Sequence, residues 1–258
     1  MTATGVVLAD VYNIHTYPTT NGCVGTIDPS SAPLGGSSGN HDQFQESLGQ
    51  SFGPTTLNGF AGLPTVTVNQ SPRVCTEMGI SSLAASGQVD ARTKGVNLVN
   101  GFLNAYFVEG FKYTFAYELY EEGLGYGLFT ATATPALAAT YLHNLITVLA
   151  DGGGTQATFT PGSLNFSLSG MPTGALFAIM QISNGHFKLV VWNNTTNYNI
   201  GTQTPIVIGN TTITLNLLNS ATVNTYDTVT GTTATQTLTG VTTATMVLTD
   251  HPVVFDIF

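Results

Sequence analysis

At Asp151–Thr155, "DGGGT", the texture of the chain changes, and no single arrangement of layers suits both sides of the change. Before it, apolar runs alternate with longer segments of helical spacing, the pattern of a mostly parallel sheet with helices packed outside it. After it, the runs are short, rich in Thr, Val and Ile, and broken by Asn and Gly, the pattern of an all-β unit, expected to be a sandwich. Two domains are expected, 1–152 and 153–258. The second contains no Glu and only Asp227, Asp250 and Asp256, at turns and strand ends, so acid-base chemistry is assigned to the first.

In the first domain the spacing predicts a strand over Val6–Pro18, a helix over His41–Phe52, and strands over Pro64–Gln70 and Arg73–Gly79, which are close enough to be one interrupted strand. A helix follows over Asp90–Gly110, with Val96, Leu98, Val99, Phe102, Leu103, Tyr106 and Phe107 on one broad face. Phe111–Glu122 reads as the next strand, and Thr134–Asp151 as a helix with Pro135 in its first turn. In the second domain "QISNGHFKLVVW" is a hairpin signal, with Asn184-Gly185 between two alternating runs.

With 258 residues, 42% of them hydrophobic, the chain can bury real cores. Only 7% are charged, against about 25% in an ordinary soluble protein, so the polar surface comes from Thr, Ser, Asn and Gly and suits an extracellular or periplasmic setting. The net charge of -9 repels phosphate backbones and anionic membranes, and neither is an expected partner. No apolar run approaches the roughly 20 residues of a membrane span, and Met1 is not followed by the pattern of a signal peptide. Cys23 and Cys75 are equally compatible with one disulfide and with two buried thiols.

In a parallel β/α sheet, side chains converge at the carboxyl ends of the strands. Three predicted strands end in polar groups: His15 and Tyr17 on the first, Glu77 on "RVCTEMG", and Tyr117, Glu118 and Tyr120 on the last. Two acids flanking one point suit the cleavage of a glycosidic bond. Glu77 could equally cap the helix that follows, Glu118 could be a solvated strand-end acid, and His15 a structural histidine. The glycines of "EEGLGYGLF" do not form a dinucleotide fingerprint, and no phosphate loop, calcium loop, zinc spacing or serine-nucleophile motif is present. No cofactor and no metal are expected.

Taken in order, "DVYNIHTYP", "RVCTEMGISS", "EGFKYTFAYELYEEG", "YGLFTATATPALAATYLHNLITVLAD", "QISNGHFKLVVWN" and the closing "VVFDIF" resemble the C-terminal part of clan A retaining glycoside hydrolases, which are (β/α)8 barrels often followed by a β-sandwich. The resemblance implies a (β/α)4-like half barrel over 1–152, with "HTYP" ending barrel strand five, "TEMG" strand seven and "YELYEE" strand eight. It implies Glu77 as nucleophile, and His15, Tyr17, Tyr117, Tyr120 and Tyr126 around a bound sugar. The family's acid/base motif on strand four has no counterpart here; Glu118 is the first substitute, ahead of Glu121, Asp10 or a second subunit's glutamate. A whole barrel takes about 250 residues, so the open strand edges are expected to be covered by self-association. The expected activity is retaining hydrolysis of small β-glycosides. The alternatives are a non-catalytic carbohydrate-binding or structural protein, or a fragment of a full-barrel glycosidase.

Overall fold

The computed structural model describes residues 12–16, 73–82, 89–108, 111–152, 159–199 and 202–258. The helix expected over His41–Phe52, the strand expected over Pro64–Gln70, and Asp10, Tyr17 and Cys23 lie outside them. The fold is mixed and rich in sheet. It divides into two compact units, Met1–Ala139 with Thr196–Ile206, and Thr140–Thr195 with Val207–Phe258.

The first unit contains three parallel strands, β1 (Tyr12–Thr16), β2 (Arg73–Met78) and β3 (Phe111–Ala116), which lie side by side in chain order. Three parallel strands in chain order are found in a barrel sheet and equally in one half of a doubly wound sheet. β1 pairs directly with β2, and this corrects one expectation: "HTYP" and "TEMG" end neighbouring strands, with none between them. Residues 17–72 form the connection, and its length had left room for an intervening strand.

Helix α1 (Ala91–Phe107) joins β2 to β3. Its N-cap is Asp90, whose carboxylate accepts from the Thr93 amide at 2.8 Å and the Thr93 hydroxyl at 2.9 Å. Capping of this helix is therefore done by Asp90 and does not need Glu77. The helix is buried through Thr93–Leu98 and beyond, although Tyr106, expected on the apolar face, is exposed and meets the Phe107 ring edge-on at 4.9 Å. Cys75, Met78, Ile80, Val89, Leu98, Ala105, Phe111, Ala138 and Tyr198 form the core of this unit. Two reciprocal amide bonds, 3.2 and 3.0 Å, join Asn97 to Asn197 beside the short hairpin β7 (Tyr198–Asn199) and β8 (Thr204–Pro205).

β3 stops six residues short of the predicted end, because from Glu118 the backbone bonds to a returning loop. Helix α2 (Leu137–Leu149) begins two residues after Pro135. The Ala136 amide bonds to the Leu128 carbonyl, and the Thr130 amide to that of Thr134, so this stretch pairs with the loop before the helix can start.

In the second unit β4 (Phe166–Ser169), β5 (Ala175–Gln181), β6 (Phe187–Asn193), β9 (Thr211–Asp227), β10 (Gln236–Leu248) and β11 (Val253–Ile257) form one six-stranded antiparallel sheet. β9 pairs with β4 through its first half and with β11 through its second; exposed Leu218–Ser220 lie between. Ile213, Leu215, Val223, Leu189, Val191, Phe255 and Leu248 meet in one core, and β10 reaches β6 although β9 and β11 separate them in the sheet. The hairpin at Asn184-Gly185 forms as its sequence predicts: Ile182 and His186 close the turn, and Gly185 has φ 92°, where a side chain is strained.

Candidate functional site

β2 carries one more residue than either neighbour at the same point. Along β1 the register passes from Ile14↔Cys75 to His15↔Glu77, and along β3 from Thr114↔Cys75 to Ala116↔Met78. Both sides place the bulge at Thr76 and Glu77. A bulge re-aims the side chains beside it, and bulges concentrate next to active sites. Cys75 is fully buried, and its thiol donates to the Glu77 carbonyl at 3.2 Å. Thr76 is exposed and Glu77 half-buried. His15 is the backbone partner of Glu77 across the sheet.

The next strand supplies the second acid. The Tyr117 amide bonds to the Met78 carbonyl at 2.9 Å, which fastens the end of β3 to the end of β2. The Tyr117–Glu118 peptide is cis. Glu118 is 8% exposed; its Oε1 accepts from the Glu122 amide at 3.3 Å, and the Tyr117 phenol bonds to it. The Glu118 charge is the largest of the influences that hold the Tyr117 phenol above its ordinary range, with smaller contributions from burial, Glu122 and Glu77. One phenol thus senses both candidate acids. Tyr126 meets the Tyr117 ring edge-on at 5.7 Å, and burial, then Glu118, raises its phenol as well. Tyr120 points to solvent beside Phe129, with ring centres 6.0 Å apart.

Behind these residues runs the loop Glu121–Gly127. Glu121 accepts from three backbone amides, Gly123 at 2.8 Å, Gly125 at 2.6 Å and Gly127 at 2.9 Å. Burial opposes its charge, but those amides and Lys94 outweigh burial and hold the carboxyl below its ordinary value. It is a carboxylate committed to its own loop, so it is a poor substitute for the missing acid/base. Gly127 has no room for a side chain: a Cβ there would sit 2.5 Å from the Glu121 nitrogen.

The arrangement offers two carboxylates from adjacent strand ends, a phenol influenced by both, and a hydrogen-bonded loop behind. Sequence reasoning singled out Glu77, Glu118 and the tyrosines but missed Lys94, which is buried in α1 and bonded to the loop. The available signal was scarcity: a chain with five Lys and Arg had placed one inside an apolar helix. Among the described residues, no group of three or more His, Cys, Asp or Glu could hold a metal ion, and no helix is long and apolar enough to cross a membrane. A groove of about 360 Å³ against β9 and β10 is lined mainly by threonines with Asp227, an acid already bonded to His251.

No family model and no curated protein sequence matches the chain. Among solved structures it is similar to CelM2, a bifunctional glucanase-xylanase from a metagenome library, at 16% identity and TM-score 0.49, over 99% of this chain and 44% of that one. It is also similar to the catalytic domain of GH30 xylanase C from Talaromyces cellulolyticus, at 12% identity and TM-score 0.46, over 74% of this chain and 41% of that one. The chain spans less than half the length of each.

Proposed function

We propose that the protein is a glycoside hydrolase that cleaves β-glycosidic bonds of small glycosides or oligosaccharides with retention of configuration. The observation that carries this reading is the placement of Glu77, at a bulge in β2, beside Glu118, at the end of the neighbouring strand β3, with the Tyr117 phenol under the influence of both. Adjacent strands lie about 4.8 Å apart, and side-chain reach from that spacing suits the roughly 5 to 5.5 Å between carboxyls that retention requires.

In this mechanism Glu77 attacks the anomeric carbon and forms a glycosyl ester, while Glu118 gives its proton to the leaving oxygen. Glu118 then takes a proton from water, which attacks the same carbon and frees Glu77. His15, Tyr17, Tyr117, Tyr120 and Tyr126 would contact the sugar; an aromatic ring stacks on the apolar face of a pyranose while its hydroxyl donates hydrogen bonds. The architecture that goes with this reading is a (β/α)4-like half barrel followed by a C-terminal β-sandwich. A second copy of the chain would cover the open edges of the barrel sheet. An extracellular or periplasmic setting, where polysaccharide is met, fits the weakly charged surface.

The test is hydrolysis of a panel of aryl β-glycosides by wild type, Glu77→Gln and Glu118→Gln, each checked for solution mass. Turnover by wild type and its collapse in Glu77→Gln support the reading. A folded but inert wild type that still binds the glycosides would leave a carbohydrate-binding protein in its place.

A further inference from the structure

Lys94 lies in the first turn of α1, where the positive end of the helix dipole disfavours a cation, and its side chain is 3% exposed. Its ammonium donates to two backbone carbonyls, Gly125 and Gly127, each at 2.7 Å. Those same two residues give their amides to Glu121. The loop is therefore gripped on both polarities, carbonyls by a cation and amides by an anion, without a direct bond between the two charged groups. The loop also reaches back to the segment that follows Glu77. Ser81 donates its hydroxyl to the Leu124 carbonyl at 2.7 Å, and the Ser82 amide donates to that of Gly125 at 3.0 Å. On its other side the Glu118 carbonyl accepts from Leu128 at 2.8 Å, and the Glu118 amide donates to the Tyr126 carbonyl at 3.4 Å.

We propose that Lys94 is a positioning residue of the strand-end site: by holding the Gly125 and Gly127 carbonyls, it fixes the loop that seats Tyr126 and Glu118 in register with Glu77. The inference rests on the two-carboxylate reading above and adds to it a residue that touches no substrate. The charged groups that face Lys94 are Glu121, which anchors the loop, and Glu118, the buried acid. Burial pushes Lys94 down to about 8, against the opposing pull of those two carboxylates, so its charge can be removed under mild conditions.

The experiment compares wild type with Lys94→Met and Lys94→Arg in two ways. The first is kcat and KM on the aryl β-glycoside that wild type turns over best. The second is the amide signal of Gly127, isolated by carbonyl-13C tyrosine with 15N glycine, because Tyr126-Gly127 is the one Tyr-Gly pair in the chain. The wild-type Gly127 signal is expected to move as pH rises through about 8, with kcat falling over the same range. Lys94→Met should displace the signal, abolish that step and lower kcat by about 10- to 100-fold with little change in KM, the cost of misplaced catalytic groups. Lys94→Arg, which stays charged at every pH used, should keep most of kcat and lose the step.

A displaced Gly127 signal with unchanged kcat overturns the proposal and leaves the two-carboxylate reading standing. If Lys94→Met does not fold, wild type and Lys94→Arg decide the question: a Gly127 step near pH 8 that kcat does not follow, or that Lys94→Arg retains, is equally fatal. If wild type hydrolyses nothing, the functional reading has failed separately, and the Gly127 signal alone decides whether Lys94 fixes the loop.

Discussion

The two units treat their buried acids differently. In the second unit each is bonded to a lysine or a histidine. Asp256 takes Lys188 at 2.8 Å and His186 at 3.1 Å, while His251 bridges Asp227 and Asp250, 3.1 Å from each. In the first unit the buried acid Glu118 is bonded to a backbone amide and a phenol, and Glu121 to three backbone amides, with the Lys94 charge facing both but bonded to neither. A carboxylate bonded directly to a cationic side chain is committed to holding that partner in place. Among the described residues Glu118 has no such direct bond, because the nearest cation, Lys94, is bonded to the Gly125 and Gly127 carbonyls of the loop. The contrast teaches where to look for chemistry: buried charge is abundant in the second unit, but it is spent on holding strands together.

The largest effect is expected from Glu77→Gln, which should lower hydrolysis more than about 10⁴-fold with the far-ultraviolet circular dichroism spectrum unchanged. Glu118→Gln should cost about 10²- to 10⁴-fold, the usual span for a general acid, and less with substrates whose leaving group needs no proton. Equal losses on good and poor leaving groups would deny Glu118 that role.

The converse change is Asp256→Asn in the second unit. It leaves Lys188 charged and buried, and is expected to destabilise by about 3 to 5 kcal/mol, read by Trp192, which is 1% exposed in the same unit. Hydrolysis per folded molecule should not change. Loss of activity in the folded variant would mean that the second unit takes part in the chemistry.

A smaller effect sharpens the same point through pH. Burial alone would lower His251, but its bonds to Asp227 and Asp250 outweigh burial and raise it above 6.5. Its contribution to stability is complete below the unfolded value of about 6.5 and is lost as pH rises through the raised folded value. For Asp227, burial is likewise outweighed, by His251 and two backbone amides, and its carboxyl lies below 3.8. That contribution is present above about 3.8 and is lost as pH falls through the depressed folded value. The pair should therefore stabilise most between about pH 4 and 6.5, and His251→Gln should flatten the profile of urea midpoints in that window. An unchanged profile would deny the bridge its role. Smallest is Asp90→Ala, which removes the α1 cap at about 1 kcal/mol and should appear as a modest fall in the thermal midpoint, with kcat unchanged.

Much of the first unit was legible in its residues. The strand over Arg73–Met78, the helix after Asp90, and the helix before Asp151 follow from apolar spacing and from cap and breaker residues, which are local signals. Glu77 and Glu118 stood out because an acid ending an apolar run needs a reason. Three things were not legible. The bulge at Thr76 and Glu77 is a mismatch between three strands, and no strand displays it alone. The adjacency of β1 and β2 spans residues 17–72, and sequence spacing offered an intervening strand with equal force. The end of β3 at Ala116 was set by a loop that returns to bond with Glu118 and Leu119, and those bonds are invisible to periodicity.

The change of texture near Asp151, the scarcity of charge, the Asn184-Gly185 turn and the types of the main elements can all be read along the chain, because each depends on composition or on neighbours a few residues away. Which strands touch, the service of Glu121 to its own loop, and the grip of Lys94 on that loop from another element emerge only in the folded chain. Hydrogen bonds between distant segments are fixed by the folded backbone, and a one-residue shift in register changes which side chain reaches which partner.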